Sequence, residues 1–158
     1  MAEVGGEVEI AAPLAEVWQL YFDAARWGSW VDGFARLSVS DGYPERGGTL
    51  VWESTPAGRG RVSERVLEHE PRRLHRISYS DPGSVGELET RFEMMPAGEE
   101  GRRTLVSQRQ RYQLHDGGPL AALTDRLFIR SQMRGSLQRS LAGLRAEAAA
   151  RAPARPCD

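Results

Sequence analysis

The sequence predicts an α+β fold, with a seven-stranded antiparallel sheet wrapped around a long C-terminal helix and two short helices near the N-terminus. Three observations predict it. A proline opens an amphipathic helical pattern within the first 25 residues, six alternating segments punctuated by glycine and proline follow, and no proline interrupts residues 120–151.

Taken in order, Val8-Glu9-Ile10-Ala11 reads as a short first strand. Pro13 suits the first helical position, where its missing N–H has no intrahelical partner and its fixed φ already matches a helix. Leu14, Val17, Trp18 and Tyr21 then recur on one helical face, with Glu16, Gln19 and Asp23 off it. Trp27-Gly28-Ser29-Trp30 is too short for a long helix and too aromatic for a solvated linker, so it reads as a helical elbow closing over something apolar. Strands are predicted at 34–41, 48–55, 59–69, 73–80, 85–95 and 103–115, with turns at Asp41-Gly42, Pro56-Ala57-Gly58, Glu70-Pro71, Asp81-Pro82-Gly83 and Pro96 to Gly101. Such short turns favour an antiparallel meander with one dry face. Leu137, Leu141, Leu144 and Ala148 form a stripe on the last helix, which lays it across that face and leaves an internal space. Length predicts one domain over 1–151, followed by a disordered tail at 152–158.

Alternation also assigns faces. Leu88, Thr90, Phe92 and Met94 point inward, as do His75, Ile77 and Tyr79, and Trp52. Val106, Gln108, Gln110, Tyr112 and Leu114 share a face opposite Arg109 and Arg111. Paired glutamines on a dry face suit hydrogen bonding to a ligand or a wet strand end. Around Arg59 to Leu67 the pattern leaves both choices open: Val62 and Val66 share a face with Glu64 and Glu68, while Ser63 and Arg65 share theirs with Leu67.

Composition excludes several functions. All 21 basic residues are arginine, which removes Schiff-base and P-loop lysine chemistry, and a net charge of −1 argues against nucleic acid as a partner. The single cysteine, Cys157, makes no internal disulfide or cysteine cluster and fits a reducing cytoplasm. No apolar run is long enough for membrane insertion, and no secretory signal pattern opens the chain. His69, His75 and His115 lack metal-ligand spacing, no Gly-x-Ser-x-Gly elbow occurs, and Gly47-Gly48 lacks the lysine of a phosphate loop, so no metal or cofactor is expected.

The order Val8-Glu9-Ile10-Ala11-Ala12-Pro13, Glu16-Val17-Trp18, Asp23, Trp27, Trp30 and Phe34, with the later Glu70-Pro71-Arg72-Arg73-Leu74 turn and Ser140 to Arg145, resembles the START and polyketide cyclase/dehydrase superfamily of helix-grip proteins. The resemblance spans residues 6–150 and implies a ligand cavity between sheet and last helix. It implies, as in aromatic polyketide aromatase/cyclases, that Ser63 and Arg65 project into that cavity, where an arginine fork would hold a carbonyl or enolate oxygen. Arg59 and Arg61 stand where those enzymes carry a Trp-x-Trp pair.

Three functional readings follow. The first is a carrier of a lipid, isoprenoid or polyketide-like molecule, lined by Trp27, Trp30, Phe34, Trp52, Ser63, Arg65, Tyr79, Phe92, Gln110, Tyr112, Phe128 and Met133. The second is a cofactor-independent cyclase or dehydratase using Arg65, Ser63 and Tyr79, with Tyr112 or His75 as further proton carriers. The third is an interaction module with a vestigial cavity, docking through Arg126, Arg130 and Arg134. A monomer or homodimer is expected.

Overall fold

The computed structural model describes residues 1–98, 101–115 and 122–151, with side chains from 126 onward in the last helix. The predicted tail and the start of the final helix at residue 120 lie outside the described residues. Strand β1 (Ala2–Ile10) leads into helix α1 (Leu14–Tyr21), a 3-10 turn at Ala24–Arg26 and helix α2 (Trp27–Trp30). Strands β2 (Phe34–Asp41), β3 (Thr49–Ser54), β4 (Arg61–Glu70), β5 (Leu74–Ser80), β6 (Ser84–Gly98) and β7 (Gly101–Leu114) precede helix α3 (Ala122–Arg151). The seven strands form one antiparallel sheet in the order β1-β7-β6-β5-β4-β3-β2, so the first strand extends the meander by pairing with the last, and β1 and β2 are the edges.

β1 is longer than its apolar end predicted. Gly5-Gly6 hides the alternation, yet Val4 is buried and Glu3 and Glu9 face outward to ion pairs with Arg111 and Arg103, both at 3.2 Å. Such exposed pairs each contribute about 0–1 kcal/mol, so the strand is held by its ladder and its buried face.

α3 lies across the concave face with Leu137, Leu141 and Leu144 buried against Val4, Ile10 and Val106. Its fit depends on small residues. A Cβ on Gly143 would sit 2.8 Å from the Trp30 carbonyl oxygen, and one on Gly6 2.9 Å from a Leu137 methyl. α2 therefore rests directly on α3, fastened by Asp32. The Asp32 carboxylate accepts from the Ser136 hydroxyl at 2.7 Å and from the Arg139 guanidinium at 3.0 and 3.2 Å, and its backbone N–H donates to Ser140 Oγ at 2.9 Å.

Two face assignments are corrected. Met94, expected inward, is 71 % exposed, because it lies on the far end of the β6–β7 ribbon. Ser63 and Arg65, placed inside by the resemblance, are exposed, while Val62 and Val66 are buried. The register shows why. Leu50 pairs with Glu64 and Trp52 with Val62, and residues paired across strands share a face, so the buried Leu50 and Trp52 carry Val62 and Glu64 inward with them.

Candidate functional site

Where α2 bridges the sheet, the core does not close. A cavity of about 130 Å³ remains between α2, α3 and strands β3 to β7, walled by Trp27, Trp30, Phe34, Leu50, Trp52, Ile77, Leu88 and Leu137. Asp32, Trp52, Arg59, Gln110 and Ser136 also line an outer groove of about 640 Å³, which extends along α3 past Ile129 and Met133. The inner chamber alone is smaller than the ~300–1,000 Å³ of an ordinary ligand site, but chamber and groove together reach that range.

The aromatic wall is built by α1 and the elbow. Trp27 donates from Nε1 to the Tyr21 carbonyl at 2.9 Å, which fixes the elbow against the end of α1. Trp27 and Phe34 meet edge to face at 5.9 Å, and Phe34 tilts on Trp52 at 5.6 Å. The Trp30 indole N–H is buried without a partner among the described residues.

Polar groups enter this wall at four points. Glu64 lines the chamber and accepts from Trp52 Nε1 at 2.7 Å; burial raises its carboxyl above the usual range, against the lowering pull of that hydrogen bond and of Arg59. Tyr21 meets Thr90 Oγ1 at 2.9 Å and accepts from Gln108 Nε2 at 3.3 Å, and burial pushes its hydroxyl up to about 12. Tyr43, from the β2–β3 connection, meets His75 Nε2 at 3.2 Å, and burial holds its hydroxyl well above the ordinary value. Gln110 donates to the Tyr79 hydroxyl at 2.8 Å, with the Arg59 guanidinium 4.5 Å above the Tyr79 ring and bound to Asp81. Asp32, at the mouth, is held below the ordinary carboxylate value chiefly by the Arg139 hydrogen bond.

The chamber is therefore apolar in area, with a carboxyl, phenols, an imidazole and amides at fixed points. It can enclose a ring-sized group and exchange hydrogen bonds with its oxygens. Among the described residues no three His, Cys, Asp or Glu converge to hold a metal ion.

Of the residues singled out in the sequence, Trp27, Trp30, Phe34, Trp52 and Gln110 line the chamber, and Met133 lines the groove. Tyr79 is buried behind Gln110. Phe92 is packed in the core against Trp18 and Tyr21 at ring distances of 4.9 and 5.2 Å, and Tyr112 is buried in the sheet without lining the chamber. Phe128 is 62 % exposed, and Ser63 and Arg65 lie on the outer face, away from the chamber. Glu64 and Tyr43 escaped notice. For Glu64 the signal was present, since two valines flank it on one face while Ser63 and Arg65 occupy the other; Tyr43 sits in a connection, where no periodicity marks it.

An antiparallel sheet gripping a C-terminal helix around a cavity of aromatic and polar groups defines a cavity protein of the helix-grip class. The chain belongs to the polyketide cyclase/dehydrase and lipid transport family, whose pattern matches residues 1–149. The fold is similar to the Zhui aromatase/cyclase of Streptomyces sp. R1128, at 16 % identity and a TM-score of 0.78, over 97 % of this chain and 96 % of that one. It is also similar to norcoclaurine synthase of Thalictrum flavum, solved with dopamine and hydroxybenzaldehyde, at 14 % identity and a TM-score of 0.65 over 96 % and 88 %. A START superfamily protein of Mycobacterium smegmatis matches at 13 % identity and a TM-score of 0.66 over 94 % and 97 %. No curated protein matches the sequence. Among the described residues, no helix is long and apolar enough to cross a membrane.

Proposed function

We propose that the protein binds a mostly apolar, ring-bearing small molecule, its ring in the inner chamber and its remainder in the groove along α3. One observation carries this reading: the core keeps a chamber open between Trp27, Trp30, Phe34 and Trp52 while Glu64, Tyr43 and Gln108 line it. An unfilled core costs stability, and groups left facing it are costly to desolvate unless something binds there. The aromatic molecules bound by norcoclaurine synthase, a protein of the same fold, support the ligand class.

The test is titration of tryptophan fluorescence with 2-naphthol. Saturable one-to-one quenching is expected, with Trp52→Leu weakening it on the order of tenfold, the equivalent of about 1.4 kcal/mol. Non-saturable quenching would overturn the reading.

A second reading, cofactor-independent cyclisation or dehydration, is favoured by one feature. Glu64 is an enclosed carboxyl whose raised pKa suits it to take a proton from carbon beside a carbonyl and return it to oxygen. Bound 2-tetralone should then exchange its α-hydrogens with heavy water faster than the free ketone. That acceleration should vanish in Glu64→Gln with binding retained. The charged candidate is Glu64 and not Arg65, which faces solvent.

A further inference from the structure

From the chamber wall toward the surface, three side chains form a continuous line. Tyr43, on the chamber wall, meets His75 Nε2 at 3.2 Å, and His75 Nδ1 meets His69 Nδ1 at 3.0 Å. His75 is 3 % exposed, whereas His69 is half-buried and meets solvent. Both His nitrogens of the buried ring are therefore engaged, one toward the chamber and one toward the surface.

This line exists because of a one-residue irregularity. β4 and β5 pair Val66 with Ile77 and then Glu68 with Arg76, so Leu67 is an extra residue on β4. Without it, alternation from Val62, Glu64 and Val66 would place Glu68 on the inner face and His69 outside. The bulge reverses the phase, and His69 pairs with His75 on the inner face. A dry sheath surrounds the pair: Phe22 stands edge-on to His75 at 4.8 Å and to His69 at 5.2 Å, and Trp18 covers His69 at 5.2 Å. The ionisable groups facing the line are Tyr21 from α1, Glu64 from β4 and Glu45 from the β2–β3 connection.

We propose that Tyr43, His75 and His69 form a proton path that lets a group bound in the chamber exchange a proton with solvent beside α1, away from the chamber mouth. The inference rests on the reading that the chamber is the ligand site. Each step balances. A proton passes from the bound group to the Tyr43 oxygen as the Tyr43 proton moves to His75 Nε2. The His75 Nδ1 proton moves to His69 Nδ1, and the His69 Nε2 proton leaves to water. Both imidazoles end neutral with their tautomers exchanged, and the same two hydrogen bonds persist with donor and acceptor reversed. No charge is ever left in the apolar sheath, which would be costly.

The probe is 2-naphthol, whose excited state is a strong acid, held by excess protein and excited beyond the tryptophan absorption edge. Bound naphthol in the unaltered protein should emit as naphtholate, with proton release slowed at least twofold in heavy water. His69→Phe, a change at a half-buried position away from the chamber, should leave naphthol binding intact and reduce naphtholate emission at least fivefold; Tyr43→Phe, on the chamber wall, should reduce the emission per bound naphthol as far, whatever it does to affinity. Long-range 15N spectra of the unaltered protein at pH 8 should show two neutral imidazoles with one Nδ1 protonated and the other bare. Naphtholate emission unchanged in His69→Phe, with Glu64 or the mouth taking the proton instead, would overturn the path and leave the ligand reading standing. Failure of naphthol to bind at all would overturn both.

Discussion

The two ends of the concave face are built on opposite rules. Where β1 and β7 meet the C-terminal half of α3, the inward side chains are mostly apolar and interlocked: Val4, Ile10, Val106, Leu141 and Leu144 are each no more than 3 % exposed, and the buried Thr104 hydroxyl is satisfied by the Ala12 carbonyl. Where β3, β4 and β5 face α2, the core carries Glu64 and His75 around open space, with Gln108 reaching in from β7. One helix serves both ends, with leucines over the first and Ser136, Arg139 and Ser140 reaching the roof of the second. The difference teaches that stability and ligand chemistry are separated along α3, so changes at one end should leave the other largely untouched.

The largest expected effect tests the packed end. Leu144→Ala removes a fully buried side chain and should cost about 2–5 kcal/mol in urea unfolding, with naphthol affinity per folded molecule unchanged. A matching fall in affinity would show that the ends are not separable.

Acid tests the open end. Burial holds His75 down to about 3, so the folded protein keeps it neutral where the unfolded chain, near 6.5, takes up a proton. The unfolded state therefore binds more protons across that interval, and this group's contribution to stability should fall as pH drops below 6.5. The slope is at most about 1.4 kcal/mol per pH unit, levelling off near pH 3. His75→Phe should flatten that slope in melting profiles.

Glu64 gives the smallest effect, with the opposite sign. Its folded value is raised above the ordinary 4.5, so the folded state holds the extra proton and stability falls as pH rises through that window. Glu64→Gln should melt higher than the unaltered protein at pH 8, and the gain should vanish below about pH 4.5. A gain that persists at pH 4 would mean that Glu64 destabilises by shape and not by charge.

Much of the architecture is legible in the sequence because it rests on period alone. Pro13 and the Leu14 to Tyr21 stripe mark α1, and the Leu137 to Ala148 stripe marks the buried face of α3. The polar part of the site follows different physics. Glu64 sits on a strand where both faces hold charge, and only its pairing with Leu50 decides which is inside. The resemblance to aromatase/cyclases pointed the other way, toward Ser63 and Arg65. His69 reaches His75 through a bulge at Leu67, which no residue type announces. Alternation identifies faces until a register shift reverses them, and here the shift falls within the site.

The pairing of β1 with β7 bears on how the chain is made. Six strands can pair with a neighbour as soon as it follows, but Ala2–Ile10 emerges first and has no partner until the segment ending at Leu114 is available. At roughly 5–20 residues per second, ribosomal synthesis leaves it waiting for several seconds or more. Its two-sided hydrogen-bonding backbone is then an open invitation to other chains, and Glu3, Glu7 and Glu9 on alternate positions charge one side of it throughout that interval. Glu3 and Glu9 later meet arginines on β7, so residues that keep the nascent strand solitary also help select its final partner. Native pairing across so large a sequence separation makes this strand, together with the α3 stripe laid against it, the expected last step of folding.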